Sequence, residues 1–226
     1  MTARRILAAA TPAAAALALA APAHAATVAT LPCVPVVSGF SNQPNMPITG
    51  SGFTPGASVT VRYATLASPT PTYLTSTTAD PAGNINTAVV APIFAKFDTQ
   101  LQTFGLSATD DTNPALTAVI QYKQVRVGYT TNPSTGKPSR QANHTVRGLP
   151  VGKSTYLHFR FGGKTKRNVK VGVTKAPCGI VSKRMRLLPT RSRPGTWTVY
   201  VDQARSFHKT TRPQLKYSFV IRRTFG

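Results

Sequence analysis

The stretch Ile48-Thr49-Gly50-Ser51-Gly52-Phe53-Thr54-Pro55-Gly56-Ala57-Ser58-Val59-Thr60-Val61-Arg62-Tyr63 decides the fold. Its second half alternates. Val59, Val61 and Tyr63 fall on one side of an extended chain, and Thr60 and Arg62 fall on the other. Successive strand side chains point to opposite faces, so a period of two predicts a strand with one buried and one wet face. Ahead of this run, two glycines four apart enclose an apolar residue and a proline. The pattern returns at Gly148-Leu149-Pro150-Val151-Gly152, an offset of 96 residues (148 less 52).

The same period extends through the chain. Leu116, Ala118, Ile120 and Tyr122 alternate with polar neighbours, as do Leu157, Phe159 and Phe161 with Tyr156, His158 and Arg160. Trp197, Val199 and Val201 form a further set, and Tyr217, Phe219 and Ile221 another. Asp80-Pro81-Ala82-Gly83-Asn84 and Phe161-Gly162-Gly163-Lys164 predict hairpin turns. After residue 26 the sequence has no helical stripe beyond a short turn at 94–102. Asn113-Pro114-Ala115-Leu116 and Arg212-Pro213-Gln214-Leu215 each precede a strand-like run, and the runs 104–110 and 197–202 both end in Asp. These echoes predict two all-β units of about 100 residues, at 26–127 and 140–226, with a polar linker at 128–139. Short strands and frequent turns in units of that size imply tandem antiparallel β-sandwiches.

Residues 48–61 resemble the GxGFxPGxxVxV strand–turn–strand of bacterial immunoglobulin-like domains, modules of secreted actinobacterial proteins that include neocarzinostatin-like sandwiches. Thr78-Ala79-Asp80-Pro81-Ala82-Gly83-Asn84 resembles the hairpin that often follows it. The resemblance covers residues 48–90 and implies immunoglobulin-like sandwiches that serve as spacers, adhesins or binding modules. Fold alone does not choose among these.

The first residues read as a processing signal. Arg4 and Arg5 precede an Ala-rich apolar run at 6–21, and Ala23-His24-Ala25 supplies the small residues of a cleavage site. Export with cleavage near Ala25 is the expectation, and the mature protein is expected to be secreted or associated with the cell envelope. In that oxidising setting the only two cysteines, Cys33 and Cys178, are expected to pair and so to fix one unit against the other.

Charge divides the chain. Residues 26–124 carry three basic and four acidic side chains, whereas residues 125–226 carry 22 basic side chains and one acid, Asp202. Such a concentration focuses anions at the surface. The expected partner is an anionic cell-wall polymer or anionic membrane surface, without specific nucleic-acid recognition. Tyr156, His158, Arg160, Lys170, Lys216 and Arg222 are assigned to polar strand faces. Lys164, Lys166 and Arg167, Lys183, Arg184 and Arg186, and Arg191 and Arg193 are assigned to loops or edges. The alternative is that these cations blunt sheet edges and keep the protein soluble.

Catalytic signals are sparse. The chain has five acids, all Asp, and four His. No histidine lies in a metal-binding spacing, no G-x-S-x-G occurs, and no motif calls for a cofactor. His158 and Asp202 could be written into a triad with some serine, but Asp202 reads more simply as a strand-end hydrogen-bond acceptor. Asp110-Asp111 with Asn113 reads either as a weak calcium site or as a turn before Pro114. The reading is a non-enzymatic surface protein, with a purely structural spacer or adhesion module and an exported hydrolase as competitors.

Overall fold

The structure is a computed structural model that describes residues 25–37, 43–65, 68–94, 100–189 and 192–222. The expected signal segment before Ala25, most of the turn expected at 94–102, and Arg191 lie outside the described residues.

Among the described residues the chain is all β. Eight strands form the first unit: β1 (Thr27–Thr30), β2 (Cys33–Val36), β3 (Asn45–Ser51), β4 (Ser58–Thr65), β5 (Ser68–Thr78), β6 (Ile85–Val90), β7 (Leu101–Asp110) and β8 (Thr117–Arg126). They make a three-stranded sheet, β1-β3-β6, and a five-stranded sheet, β2-β8-β7-β4-β5. All pairs are antiparallel except β2 with β8, which run parallel. The sheets enclose a core that includes Met46, Ile48, Phe53, Val59, Val61, Phe104, Leu106 and Tyr122.

Seven strands form the second unit: β9 (Gly128–Asn132), β10 (Gln141–Arg147), β11 (Ser154–Phe161), β12 (Lys164–Val173), β13 (Val181–Arg186), β14 (Gly195–Asp202) and β15 (Leu215–Ile221). Their sheets are β13-β10-β9 and β12-β11-β14-β15, all antiparallel, around Val146, Leu157, Phe159, Trp197, Val199 and Val201. The stretch 128–139 is therefore not simply a linker. It opens with β9, which pairs with β10 through Val146↔Tyr129, so Val127 alone separates the last strand of one unit from the first of the next. A polar, Pro- and Gly-bearing stretch looks the same whether it joins two domains or, as at 133–140, two strands of one.

The 96-residue echo has a structural counterpart. The Gly56 N–H donates to the Ala79 carbonyl, and the Gly152 N–H donates to the Thr174 carbonyl. Gly83 and Gly179, also 96 apart, have φ of 75° and 60°. A Cβ on either would overlap a backbone carbonyl oxygen, that of Phe53 or that of Leu149. Only glycine suits a left-handed backbone packed that closely. The turn at Asp80–Asn84 closes with an Asp80 N–H to Asn84 carbonyl bond of 2.8 Å, but it is not a hairpin. The strands that it joins, β5 and β6, lie in different sheets. The Phe161–Lys164 turn does join a paired hairpin, β11 with β12.

Cys33 and Cys178 form a disulfide between the two units, and both pack on Val125. Beside it, Arg147 donates to Gln100 Oε1 at 3.0 Å and to Thr130 Oγ1 at 3.2 Å. Burial pulls the Arg147 pKa below its usual value, and the two hydrogen bonds offset part of that desolvation.

Candidate functional site

The two sheets of the second unit meet along one open side, between edge strands β12 and β13. Lys183 on β13 spans the gap and donates from Nζ to the Lys170 carbonyl of β12 at 2.9 Å. Next to that bridge lies a groove of about 390 Å³. Its floor is apolar (Phe159, Val169, Met185 and Leu188) and its walls carry Arg167, Lys183, Arg184 and Arg186. All four cations are exposed. The floor is the inner face of the sandwich seen edge-on. Phe159 pairs with Arg167 and Leu157 with Val169, so both β12 residues lie on the inner face, Val169 against the core and Arg167 nearer the start of the strand, at the rim. Lys164, Lys166 and Lys170 continue along the same exposed edge strand.

The remaining cations assigned to binding do not join this groove. Arg160 lies on the outer face of the four-stranded sheet, with its guanidinium 4.0 Å from the Phe207 ring centroid and 5.9 Å from that of Tyr200. It also donates to the Gly163 carbonyl. Tyr156 is half-buried on β11, Lys216 is exposed on β15 opposite Tyr200, and Arg193 and Arg222 are exposed beyond the ends of strands. Arg191 is outside the described residues.

His158 departs from the expectation of a wet strand face. It is fully buried. Its Nε2 lies 2.9 Å from Asp202 Oδ1 and its Nδ1 lies 2.8 Å from Asn168 Oδ1. The segment 203–214 folds back over this part of the sheet and sets the Phe207 ring 5.8 Å from the imidazole. Asp202 also accepts from the Ala204 N–H and from Gln214 Nε2. Both ring nitrogens and both carboxylate oxygens are thus engaged, and among the described residues no serine hydroxyl completes a triad. His158 is a packing residue, not a ligand-binding one. Sequence reasoning missed Asn168, Phe207 and Gln214. The one available signal was an isolated aromatic, Phe207, in a polar basic loop.

Asp110 holds the matching place at the end of β7. Oδ1 accepts from the Thr112 N–H and hydroxyl and from the Asn113 N–H, and Oδ2 accepts from the Thr54 N–H at 2.7 Å. Burial acts to raise its pKa, but the hydrogen bonds from Thr112, Thr54 and Asn113 outweigh it and hold the carboxyl far below the usual range. These donors make Asp110 a turn cap and decide against calcium. Among the described residues no three His, Cys, Asp or Glu side chains cluster as metal ligands.

His144, on β10, is also buried. Arg186 O can only accept, so Nε2 carries the proton and donates to it at 3.1 Å, while Nδ1 accepts from the Tyr129 hydroxyl at 2.7 Å. Burial holds the His144 pKa below its usual value, against the opposing pull of the Arg186 and Met185 carbonyls.

No protein-family model matches the chain, and no curated protein sequence does. Among solved structures, a tetra-tandem repeat from the extending region of a large adhesion protein is similar at 13% identity with a TM-score of 0.29. The match covers 86% of this chain and 47% of that one, so this chain spans about half the length of that repeat structure. The human OSCAR ligand-binding domain is similar at 12% identity with a TM-score of 0.34, over 88% of this chain and 98% of that one.

Proposed function

We propose that this is a non-enzymatic, exported surface protein of the bacterial immunoglobulin-like kind, whose second unit docks on a phosphate-bearing polymer of the cell envelope. One observation carries the reading. The β12/β13 groove gathers Arg167, Lys183, Arg184 and Arg186, while the only acid of residues 125–226, Asp202, is buried on His158. No carboxylate of this unit is placed to neutralise the groove, and like charges brought together at a cost to stability fit an external anion. The disulfide between the units accords with an oxidising, extracellular setting. The fully engaged His158 and Asp202 speak against a hydrolase.

Binding would rest on long-range attraction and several phosphate contacts, so it would be steeply salt-dependent. The test is titration of the full chain from residue 26 with polyglycerol phosphate over a range of salt. The triple variant Arg167→Gln, Lys183→Gln, Arg184→Gln should weaken binding and flatten the salt dependence by about two units of log–log slope. Equal slopes for variant and parent, or no binding at low salt, would sink the proposal. The disulfide between the units favours a spacer as the second reading, under which the triple variant would reach the cell envelope unchanged.

A further inference from the structure

The two units differ at one sheet edge. In the first, β2 lies parallel to the end of β8, with Cys33↔Lys123 and Val36↔Arg126, and buries Cys33, Val34 and Val36. In the second, β15 holds the place of β8. It pairs with β14 on one side, and among the described residues no strand pairs with its other side. The registers show why. Val28 pairs with Gly50 and Tyr129 pairs with Val146. The second strands are 96 residues apart (146 less 50), but the first strands are 101 apart (129 less 28). The second unit therefore lacks five residues between its first two strands, and β2 is four residues long. What is missing matches what covers β8.

Two observations mark the uncovered edge. The inward residues of β15 (Leu215, Tyr217, Phe219 and Ile221) are only half-buried, whereas Trp197, Val199 and Val201 on neighbouring β14 are buried. The other edge of the same sheet, β12, is guarded by Lys164, Lys166, Arg167 and Lys170. β15 carries one charge, Lys216, and leaves Val220 65% exposed. An edge strand without guarding charges invites another strand. Alongside residues 218–222 runs a groove of about 640 Å³, floored by Leu187, Leu188, Phe219 and Ile221, with Lys137 and Arg222 at its margin. Five residues of strand span roughly 16 Å.

We infer that the free edge of β15 is a strand-addition site for an extended, acidic segment of another protein, with alternating apolar side chains. Backbone hydrogen bonds to β15 would hold the segment and alternate side chains would enter the groove, as β2 does for β8. Charge complementarity chooses the occupant. The second unit of another copy would bring a further 22 basic residues and one acid to the edge, and repulsion would oppose it. An acidic strand meets Lys137, Lys216 and Arg222. This site shares only Leu188 with the β12/β13 groove and none of its cations, and it does not depend on the polymer reading.

The test uses the full chain from residue 26 and two fluorescent peptides of equal charge, one alternating Asp with Val and one alternating Asp with Gly. At about 0.15 M salt, the Asp–Val peptide should bind at least about tenfold more tightly. It should slow amide exchange at Ser218–Ile221, and the triple variant of the β12/β13 groove should bind it as the parent does. Equal binding of the two peptides, protection confined to β12 and β13, or self-association through β15 in the absence of peptide would each overturn the inference. Failure of the triple variant to lose polymer binding would instead count against the function proposed above and leave this site standing.

Discussion

His158 Nε2 lies 2.9 Å from Asp202 Oδ1, and both side chains are fully buried beneath a loop that also supplies Gln214 to the carboxylate. Truncation of Asp202 would strip His158, the Ala204 N–H and Gln214 of their acceptor at once. Asp202→Ala should therefore destabilise the protein by about 3 kcal/mol in urea unfolding. Polymer affinity at low salt should change little, because neither group faces the cationic groove. A stable Asp202→Ala protein that has lost polymer binding would reverse this assignment.

Acid sensitivity should arise in the first unit, at Asp110. Its folded-state pKa lies below its unfolded value, so it contributes stability above about pH 4 that is lost as pH falls further. The expected result is a falling midpoint of unfolding below pH 4 in the parent and a flatter profile in Asp110→Asn. Asp110→Ala, which leaves the Thr54, Thr112 and Asn113 N–H groups without their acceptor, should cost about 3 kcal/mol at neutral pH.

A second pH effect belongs to His144. Burial lowers its folded-state pKa, so the unfolded chain takes up the proton first and stability falls as pH drops below about 6.5. Replacement by Gln, which keeps a donor for the Arg186 carbonyl, should remove the part of the slope between neutral pH and the acid limb. An unchanged slope in His144→Gln would show that another group titrates there.

Gly179 and Gly152 offer a matched pair. Both have positive φ, 60° and 79°, but a Cβ on Gly179 overlaps the Leu149 carbonyl while one on Gly152 meets nothing within 4 Å. Gly152→Ala should cost only the left-handed backbone penalty, about 1–2 kcal/mol. Gly179→Ala must also displace the Leu149 backbone beside the disulfide and should cost about 3 kcal/mol more. Thermal unfolding of the two variants checks the difference, and similar losses would contradict the packing.

Much of the fold was legible in particular residues. Val59, Val61 and Tyr63, or Trp197, Val199 and Val201, announce strands because alternation is a property of the backbone itself. The pairs Gly52–Gly56 and Gly148–Gly152 mark equivalent turns, and the lone cysteines are bonded to each other. The Asp80–Asn84 turn was legible as a turn but not as a crossing between sheets, because a five-residue turn does not record which partner the next strand will find. β9 was hidden because Gly128-Tyr129-Thr130-Thr131-Asn132 is short and adjoins Pro133.

By itself, the sequence determined the β class, the doubling of the unit and the concentration of positive charge after residue 125, since each depends on residue type and near spacing. Tertiary structure alone decided that Arg167 and Lys183, 16 residues apart, share one groove, that His158 is sealed under Phe207, and that among the described residues β15 lacks the neighbour that β8 has. Alternation assigns a side chain to a face. Whether water, a loop or another strand covers that face depends on where distant chain segments come to rest.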